Sequence, residues 1–406
     1  MMENLHASRL IPSANIQATI HPNFPTDKIS YIDHSIEKVT PCVVYPETAD
    51  FNDLSSIEFV VHESSGNYID LASLKLEVKL QILDADGVRE GIAADTNVYF
   101  INNLLSSLFP ILKVYINGVC VETNYHGAHI ARLEHIMDIE NSLASNRGLV
   151  QGLFPINSTQ IGPTITNAVL QQNAGRIAFS KQNMIHMKGF LNLDIATANK
   201  WLLDQCNLRI VLEPARDSYC INAVDNATAY KKSISSIKLH LDRISPTPGG
   251  FINTTKYLQE NNCEYIIKRH VVHSEILAAN QRSITVSRPF QNRIPHKLYL
   301  FMVSQTSDAG VYDEDPLYYR HNRISNYRIM IDGSVLKDQD CSQTDGYVNV
   351  YTDSLYAHGA QEYFIPYEIY GKGGFVIVIS TNYSQNNELS FEQKRNMNIH
   401  RTKALF

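Results

Sequence analysis

Three histidines and a glutamate crowd one short stretch of this 406-residue chain: His126, His129, Glu134 and His135. A helical zinc site wants two histidines four residues apart on one face, with a third ligand in reach. Here the spacings are three and then six, which carries His135 away from the other pair. Solvated or hydrogen-bonded imidazoles are expected, and no metal is assigned. Two acidic groups, Asp313-Glu314-Asp315 and Asp338 with Asp340, lack the alternating oxygen ligands and glycine turn that calcium needs, and read as solvated loop. No G-x-S-x-G elbow or phosphate-loop motif occurs, and Gly249-Gly250 and Gly371-Lys372-Gly373-Gly374 are explained as turn chemistry. The paired carboxylates of a glycosidase would meet only in the fold, so an enzyme reading survives by default alone. No catalytic residue or cofactor is assigned.

Six cysteines (Cys42, Cys120, Cys206, Cys220, Cys263, Cys341) are scattered without C-x-x-C spacing and read as free buried thiols of a reducing compartment. Sequons at Asn157, Asn226, Asn253 and Asn382 read as chance matches, because the N-terminus lacks a secretory signal. The last chemically distinct group is basic. Lys394, Arg395, Arg401 and Lys403 stand in a C-terminal stretch free of acidic residues. They fit an interior-facing tail that neutralises a packaged polyanion; the alternative is a solvated tail.

The elements that would carry these residues are mostly strands. Leu74, Leu76, Val78, Leu80 and Ile82 alternate with Lys75, Glu77, Lys79 and Gln81, which puts every apolar side chain on one face of a half-buried strand. Two hairpins are signalled by turn dipeptides that tolerate positive φ: Asn117-Gly118 between Ile111 and Glu122, and Asp332-Gly333 between Tyr327 and Leu336. A helix is expected over 126–140, from the spacing of Ile130, Leu133 and Ile136 or Met137. Further strands are expected at 189–193, 207–212 and 233–241, a buried strand at 297–303, and a strand buried on both faces at 375–379.

The two hairpin turns lie 215 residues apart (117 to 332) and suggest duplication of a whole domain. This divides the chain into an extended arm over 1–50, a first half over 51–245, a linker over 246–264 around the Pro246–Gly250 breaker cluster, and a second half over 265–406 ending in the basic tail. About eight strands per half would make Greek-key sandwiches of the jelly-roll kind. The long loops 141–166 and 304–326 are expected to serve partners. Composition agrees with large cores, at 44% apolar, 19% charged, 22 Tyr and 15 Phe. A net charge of −6 argues against nucleic-acid binding by bulk positive charge, and no apolar run is long enough to span a bilayer.

In order along the chain, these features resemble the double jelly-roll major capsid proteins of Polinton (Maverick) elements and adintoviruses. The likeness is carried by Asn67-Tyr68-Ile69-Asp70-Leu71 leading into the 74–82 strand, by 104–110 followed by VYINGVCVE, and by the helical piece over 125–135. It continues through 208–212, 217–220 and 235–241, then 297–303, Asp315-Pro316-Leu317-Tyr318-Tyr319-Arg320-His321, and 324–333. It covers most of 50–380; the chain is shorter than many members, and Asp-Glu-Asp-Pro stands where Asn-Pro is more usual.

The resemblance implies an all-β fold of two consecutive jelly rolls, with short helices in loops and an N-terminal arm. It implies a structural protein without catalytic site or cofactor, a homotrimer forming pseudo-hexameric units of an icosahedral shell around DNA. The implied partners are other copies of the chain, minor and penton capsid proteins, and packaged DNA in weak contact with the tail. The implied location is the virion, after synthesis in the host cytoplasm and assembly in the nucleus. A carbohydrate-binding or carbohydrate-active β-sandwich is the competing reading, which the single tryptophan, Trp201, weakens. A minor capsid protein is a third, against which the paired hairpins argue.

Overall fold

The computed structural model describes residues 35–402 apart from 48–50, 52–54, 63, 90–97, 139–147, 155–163, 167, 170–172, 199, 225–228, 261–264, 266, 268, 279–280, 291–292, 342–346, 359–364 and 382–396; for 135–138, 197–198, 260 and 397–402 it describes the backbone alone. The first half contributes β1 (Ile36–Val44), β2 (Ile57–Val61), β3 (Tyr68–Asp84), β4 (Val98–Phe100), β5 (Ile111–Ile116), β6 (Val119–Asn124), β7 (Ile185–Phe190), β8 (Trp201–Leu202), β9 (Leu208–Glu213), β10 (Ile221–Ala223) and β11 (Tyr230–Pro246). The second contributes β12 (Ser283–Ser287), β13 (Lys297–Phe301), β14 (Asn326–Ile331), β15 (Ser334–Asp340), β16 (Val376–Ser380) and β17 (Met397–Thr402). Three longer helices join them: α1 (Gly127–Asp138), α2 (Pro248–Glu260) and α3 (Val348–His358).

The strands of the first half form sheets β1-β11-β3-β7 and β2-β9-β5-β6, with β8 beside β3 and β4 paired to β10. The first strand, β1, pairs with the last, β11, and inside them β2 pairs with β9 and β4 with β10, all antiparallel, which is the nesting of a jelly roll. The second half repeats the nesting: β12 pairs with β17 and β13 with β16, in sheets β12-β17-β14-β15 and β13-β16. The fold is all-β, two consecutive jelly rolls.

Physical reasons for the strands are local. Along β3 the residues 74, 76, 78, 80 and 82 are buried, and the polar residues between them are not. Each such side chain contributes about 1.5–3 kcal/mol by leaving water. The strand starts six residues earlier than the alternation indicates, because a bulge interrupts the period at Ser73-Leu74. The Ser73 hydroxyl restores the pairing by accepting the Asp242 N–H (2.8 Å) and donating to the Asp70 carbonyl (2.7 Å). Asn117 and Gly118 have φ of 49° and 80°, and Asp332 and Gly333 have 50° and 81°. These are the paired left-handed conformations that two-residue hairpin turns of type I′ require. Strand β16 is buried on both faces, with α3 against it and the Ser354 hydroxyl accepting the Val378 N–H (3.1 Å).

Several expectations differ from the structure. The strand expected at 189–193 is β7, which leaves the ladder at Phe190; Leu191 and Leu193 are still buried as the chain enters a 3₁₀ turn at Asp194–Ala198. The breaker cluster opens a helix within the segment expected as a linker. Thr247 caps α2 by accepting the Gly250 N–H (3.3 Å), and Pro248 takes the first helical position, where its fixed φ helps. Within the expected arm, 36–44 is an edge strand of the first sheet. Cys220 and Cys341 are buried thiols, Cys42 and Cys206 are half-buried, Cys120 is exposed, and Cys263 lies outside the described residues. No helix among the described residues is long and apolar enough to cross a membrane.

Candidate functional site: the seam between the two cores

Buried apolar residues gather into two large clusters, one drawn from 57–241 and the other from 298–379. One residue crosses over: Leu317 belongs to the first cluster although its chain neighbours belong to the second. It marks a seam built by α1 from one side and by the 302–320 segment from the other.

Helix α1 is not a surface helix with one apolar stripe. Ala128 through Arg132 are all buried, because both cores press on it; Ala128 packs in the first and Leu133 against the second. His129 is 4% exposed. Its Nδ1 meets the Tyr319 hydroxyl at 3.3 Å and its Nε2 meets Asp308 Oδ1 at 3.2 Å. Phe301 and Tyr319 close around its ring, with centroids at 5.5 and 5.9 Å. The hydrogen bond from His129 holds the Asp308 carboxyl below its usual range, against the burial that would raise it. The His126 ring lies 6.3 Å away, tilted by 46°, and burial, with the His129 charge, lowers its pKa.

Much of the 304–326 loop, expected to serve partners, makes contacts within its own chain. Ala223 N–H donates to the Tyr312 carbonyl and Ile165 N–H to the Asp313 carbonyl, both at 2.7 Å. Tyr312 donates its hydroxyl to the Tyr230 carbonyl (2.7 Å). Gly310, with φ of 86°, lies so close to Tyr219 that a Cβ there would stand 3.1 Å from its backbone nitrogen. Glu314 accepts from Thr306 (2.8 Å) and faces Arg320 (3.6 Å), and Asp315 accepts the Leu317 N–H (2.9 Å). The acidic triplet is seam and turn structure rather than solvated loop.

A second polar cluster borders the seam. Glu122, buried at the end of β6, accepts the N–H groups of Asp194 and Ile195 (2.8 and 3.0 Å). Burial raises its pKa against the pull of those bonds. Asp194 in turn accepts from His270, whose Nδ1 is 2.7 Å and backbone nitrogen 2.9 Å away, and Glu134 lies 3.7 Å from the His270 Nε2. Arg269 donates to the Val121 carbonyl (2.9 Å) and Tyr265 to the Trp201 carbonyl (2.9 Å). The start of the second half is thereby strapped along the first, beside a cleft of about 410 Å³ lined by Glu122, His126, Asp194 and His270.

Of the residues singled out in the sequence, His126 and His129 meet, while Glu134 faces the strap; the His135 side chain is outside the described residues. Among the described residues no three His, Cys, Asp or Glu side chains converge to hold a metal. Asp338 pairs with Arg328 (2.8 Å) and Asp340 with Asn326 (3.0 Å), as cross-strand contacts of the second hairpin. The turn residues Asn117, Gly118, Asp332 and Gly333 are at the loop tips. Arg401 is in β17, opposite Ile284 and Tyr327, and so is part of a sheet rather than a free tail. Lys394, Arg395 and Lys403 lie outside the described residues. Trp201 stacks on Tyr68, with planes 19° apart and centroids 6.4 Å apart. Asp308, Tyr319, Asp194 and His270 were not singled out for these contacts, because their partners are distant in sequence.

No protein-family model matches the chain. A curated relative, an uncharacterized protein of Caenorhabditis elegans, is 20% identical over 283 residues, 67% of this chain and 65% of its own length. The chain thus spans just under two thirds of the relative it matches. Among solved structures, a chain of the Sputnik virophage superposes with a TM-score of 0.59 at 13% identity, covering 95% of this chain and 85% of that one. A chain of the PBCV-1 virus capsid gives 0.53 at 10% identity (93% and 88%). The Faustovirus major capsid protein gives 0.51 at 11% identity (98% and 92%). The chain shares its double jelly-roll fold with these viral proteins along nearly its whole length.

Proposed function

We propose that this chain is a structural protein of a viral shell, a major capsid protein rather than an enzyme. The observation that carries the reading is the pairing of two jelly rolls through a buried seam, in an arrangement shared with viral capsid chains over 93–98% of its length. In this reading three copies form a pseudo-hexameric unit, and these units tile an icosahedral lattice together with minor and penton proteins. The jelly rolls run over 51–245 and 265–406, the tail residues Lys394, Arg395 and Lys403 make weak contacts with packaged DNA, and the source is a Polinton or adintovirus. Synthesis in the host cytoplasm is followed by assembly in the nucleus.

Exposed apolar residues on edge elements support association: Val39, Val43 and Tyr45 at β1, Val119 and Tyr125 around β6, and Tyr356 and Tyr367 beside α3. The test is light scattering behind a sizing column, followed by electron microscopy. A species of three times 45.9 kDa, or shells, is expected. A monomer that stays monomeric with its minor proteins present and binds oligosaccharides would replace the reading with a lectin-like one.

A further inference from the structure

The outer face of sheet β1-β11-β3-β7 concentrates positive charge. Three rows stand in register across β11, β3 and β7: His240, Lys75 and Phe190; Lys238, Glu77 and Lys188; Ser236, Lys79 and His186. The residues between them along each strand are buried, so these side chains share the solvent side. Strand and residue spacings confine the four lysines to a patch of about 10 by 14 Å. One carboxylate serves it. Glu77 faces His240 (2.7 Å), His186 (3.1 Å) and Lys238 (4.0 Å). Burial would raise its carboxyl, but those three neighbours together hold it below its ordinary value. Lys188 donates to His240 Nδ1 (3.1 Å), and Lys75, Lys79 and Lys188 have no carboxylate partner among the described residues. Four lysines against one glutamate make the face positive by three, on a chain whose net charge is −6.

The kind of anion is narrowed by what the face lacks. Phe190 is 38% and Tyr45 65% exposed, but Lys75 lies 4.9 Å over the Phe190 ring and Lys238 5.7 Å over the Tyr45 ring. A lysine over each ring weakens it as a stacking platform for nucleic-acid bases. Strands β11 and β3 are paired on both sides, so no acidic peptide can add to them as a strand. What remains is a grid of point charges on a flat, rigid support, which suits fixed anions repeated along a flexible polymer. We propose that this face binds a sulfated polysaccharide, with Lys75, Lys79, Lys188 and Lys238 on its sulfates. The inference is independent of the capsid reading, because the face belongs to one chain; the mass in solution and polysaccharide binding can fail separately.

Heparin is the probe, titrated into the full chain. It should bind, more weakly as salt rises, and neutral dextran should not. Lys75→Gln/Lys79→Gln/Lys188→Gln should lower the affinity about tenfold. Lys200→Gln/Lys256→Gln/Lys372→Gln, which removes as many exposed lysines elsewhere, should leave it unchanged. If the first variant does not fold, acetylation of the unmodified chain decides: bound heparin should protect Lys75, Lys79, Lys188 and Lys238 from the reagent. An equal affinity in the folded patch variant, lysines left open to acetylation, or heparin held no tighter than polyglutamate or a single-stranded oligonucleotide of matched charge overturns the proposal.

Discussion

The two jelly rolls solve the same packing problem with different materials. In the first, a five-stranded sheet and a four-stranded one enclose an interior that is mostly aliphatic: Leu71, Leu74, Leu76, Val78 and Leu80 are all buried, with Ile57 and Phe59 from β2. In the second, among the described residues, the four strands of β12-β17-β14-β15 stand with a sheet of two, β13-β16. The missing width is made up by α3 and by rings. Tyr347, Tyr370 and Phe375 meet at 5.0 Å spacings, and Tyr351 joins edge-on to Tyr370 at 5.0 Å. Rings fill volume that strands do not, but each hydroxyl then needs an acceptor in a low-dielectric interior. Tyr370 donates to the Val376 carbonyl (3.1 Å), Tyr351 to the Ile365 carbonyl (2.8 Å) and Tyr327 to Gln339 (2.8 Å), while Tyr347 meets His321 (2.8 Å). Burial raises Tyr347 to about 12 and Tyr370 higher still, so these phenols stay neutral donors. The aromatic core is tied down at named atoms, whereas the aliphatic side chains of the first core have no polar atom to bond.

The sharpest way to break this contrast is to remove volume from each. Phe375→Ala should cost about 3–5 kcal/mol and Leu76→Ala about 2–5 kcal/mol, read as shifts in the urea midpoint. The chain supplies its own reporters, since the single tryptophan, Trp201, lies in the first half and the packed tyrosine cluster in the second. Because the seam is buried on both sides, Phe375→Ala is expected to move the tryptophan and tyrosine transitions together. Two separate transitions would show that the seam does not couple the cores.

A smaller effect is expected at the hairpins. Gly118→Ala and Gly333→Ala each force a Cβ into the left-handed region, at about 1–2 kcal/mol, with nothing within 4 Å to add a clash. Equal midpoint shifts are therefore expected although the hairpins belong to different kinds of sheet. Unequal shifts would mean that the sheet, not the turn, sets the cost. Below these comes Tyr370→Phe, which removes one hydrogen bond inside the ring cluster without removing volume and should cost about 1 kcal/mol. A change of 3 kcal/mol would show that the cluster acts as a cooperative network.

What was legible in the sequence is what repeats locally. Alternation from Leu74 to Ile82 places β3, and Asn-Gly and Asp-Gly place two turns, because period and backbone conformation depend on neighbours alone. The inference that the hairpins are counterparts in a duplication does not hold in the topology. The first joins β5 to β6, in the sheet without the terminal strands of its half, whereas the second joins β14 to β15, in the sheet that contains them. The matching features are the nested pairs, which no dipeptide announces. The seam was illegible for the same reason: His129 meets Asp308 across 179 residues and Tyr319 across 190. Helix α2 was hidden in plain composition, since Thr-Pro-Gly-Gly reads as a breaker until Thr247 is seen as a cap.

The smallest expected effect follows from one half-buried imidazole on each side of the comparison. Burial, with the His129 charge, lowers His126, and burial, with the Arg323 charge, lowers His321, both from an ordinary value of 6.5. Below that value the unfolded chain takes up protons that the folded one refuses. The stability these residues contribute is whole above about pH 6.5 and is lost as pH falls toward their folded values. Asp308, held below 3.8, contributes at all higher pH and is lost only in stronger acid. Glu122 works the other way, because burial raises it above 4.5 and its contribution fades as pH rises through the folded value. The histidine part is isolated by comparing the unmodified chain with a His126→Gln/His321→Gln variant in urea between about pH 7.5 and 5.5. The unmodified chain should lose stability on acidification relative to the variant, by an amount that solvent screening keeps small at such half-exposed groups. Parallel profiles would mean that neither imidazole is held neutral by the fold, and that the seam and the ring cluster admit more water than their packing implies.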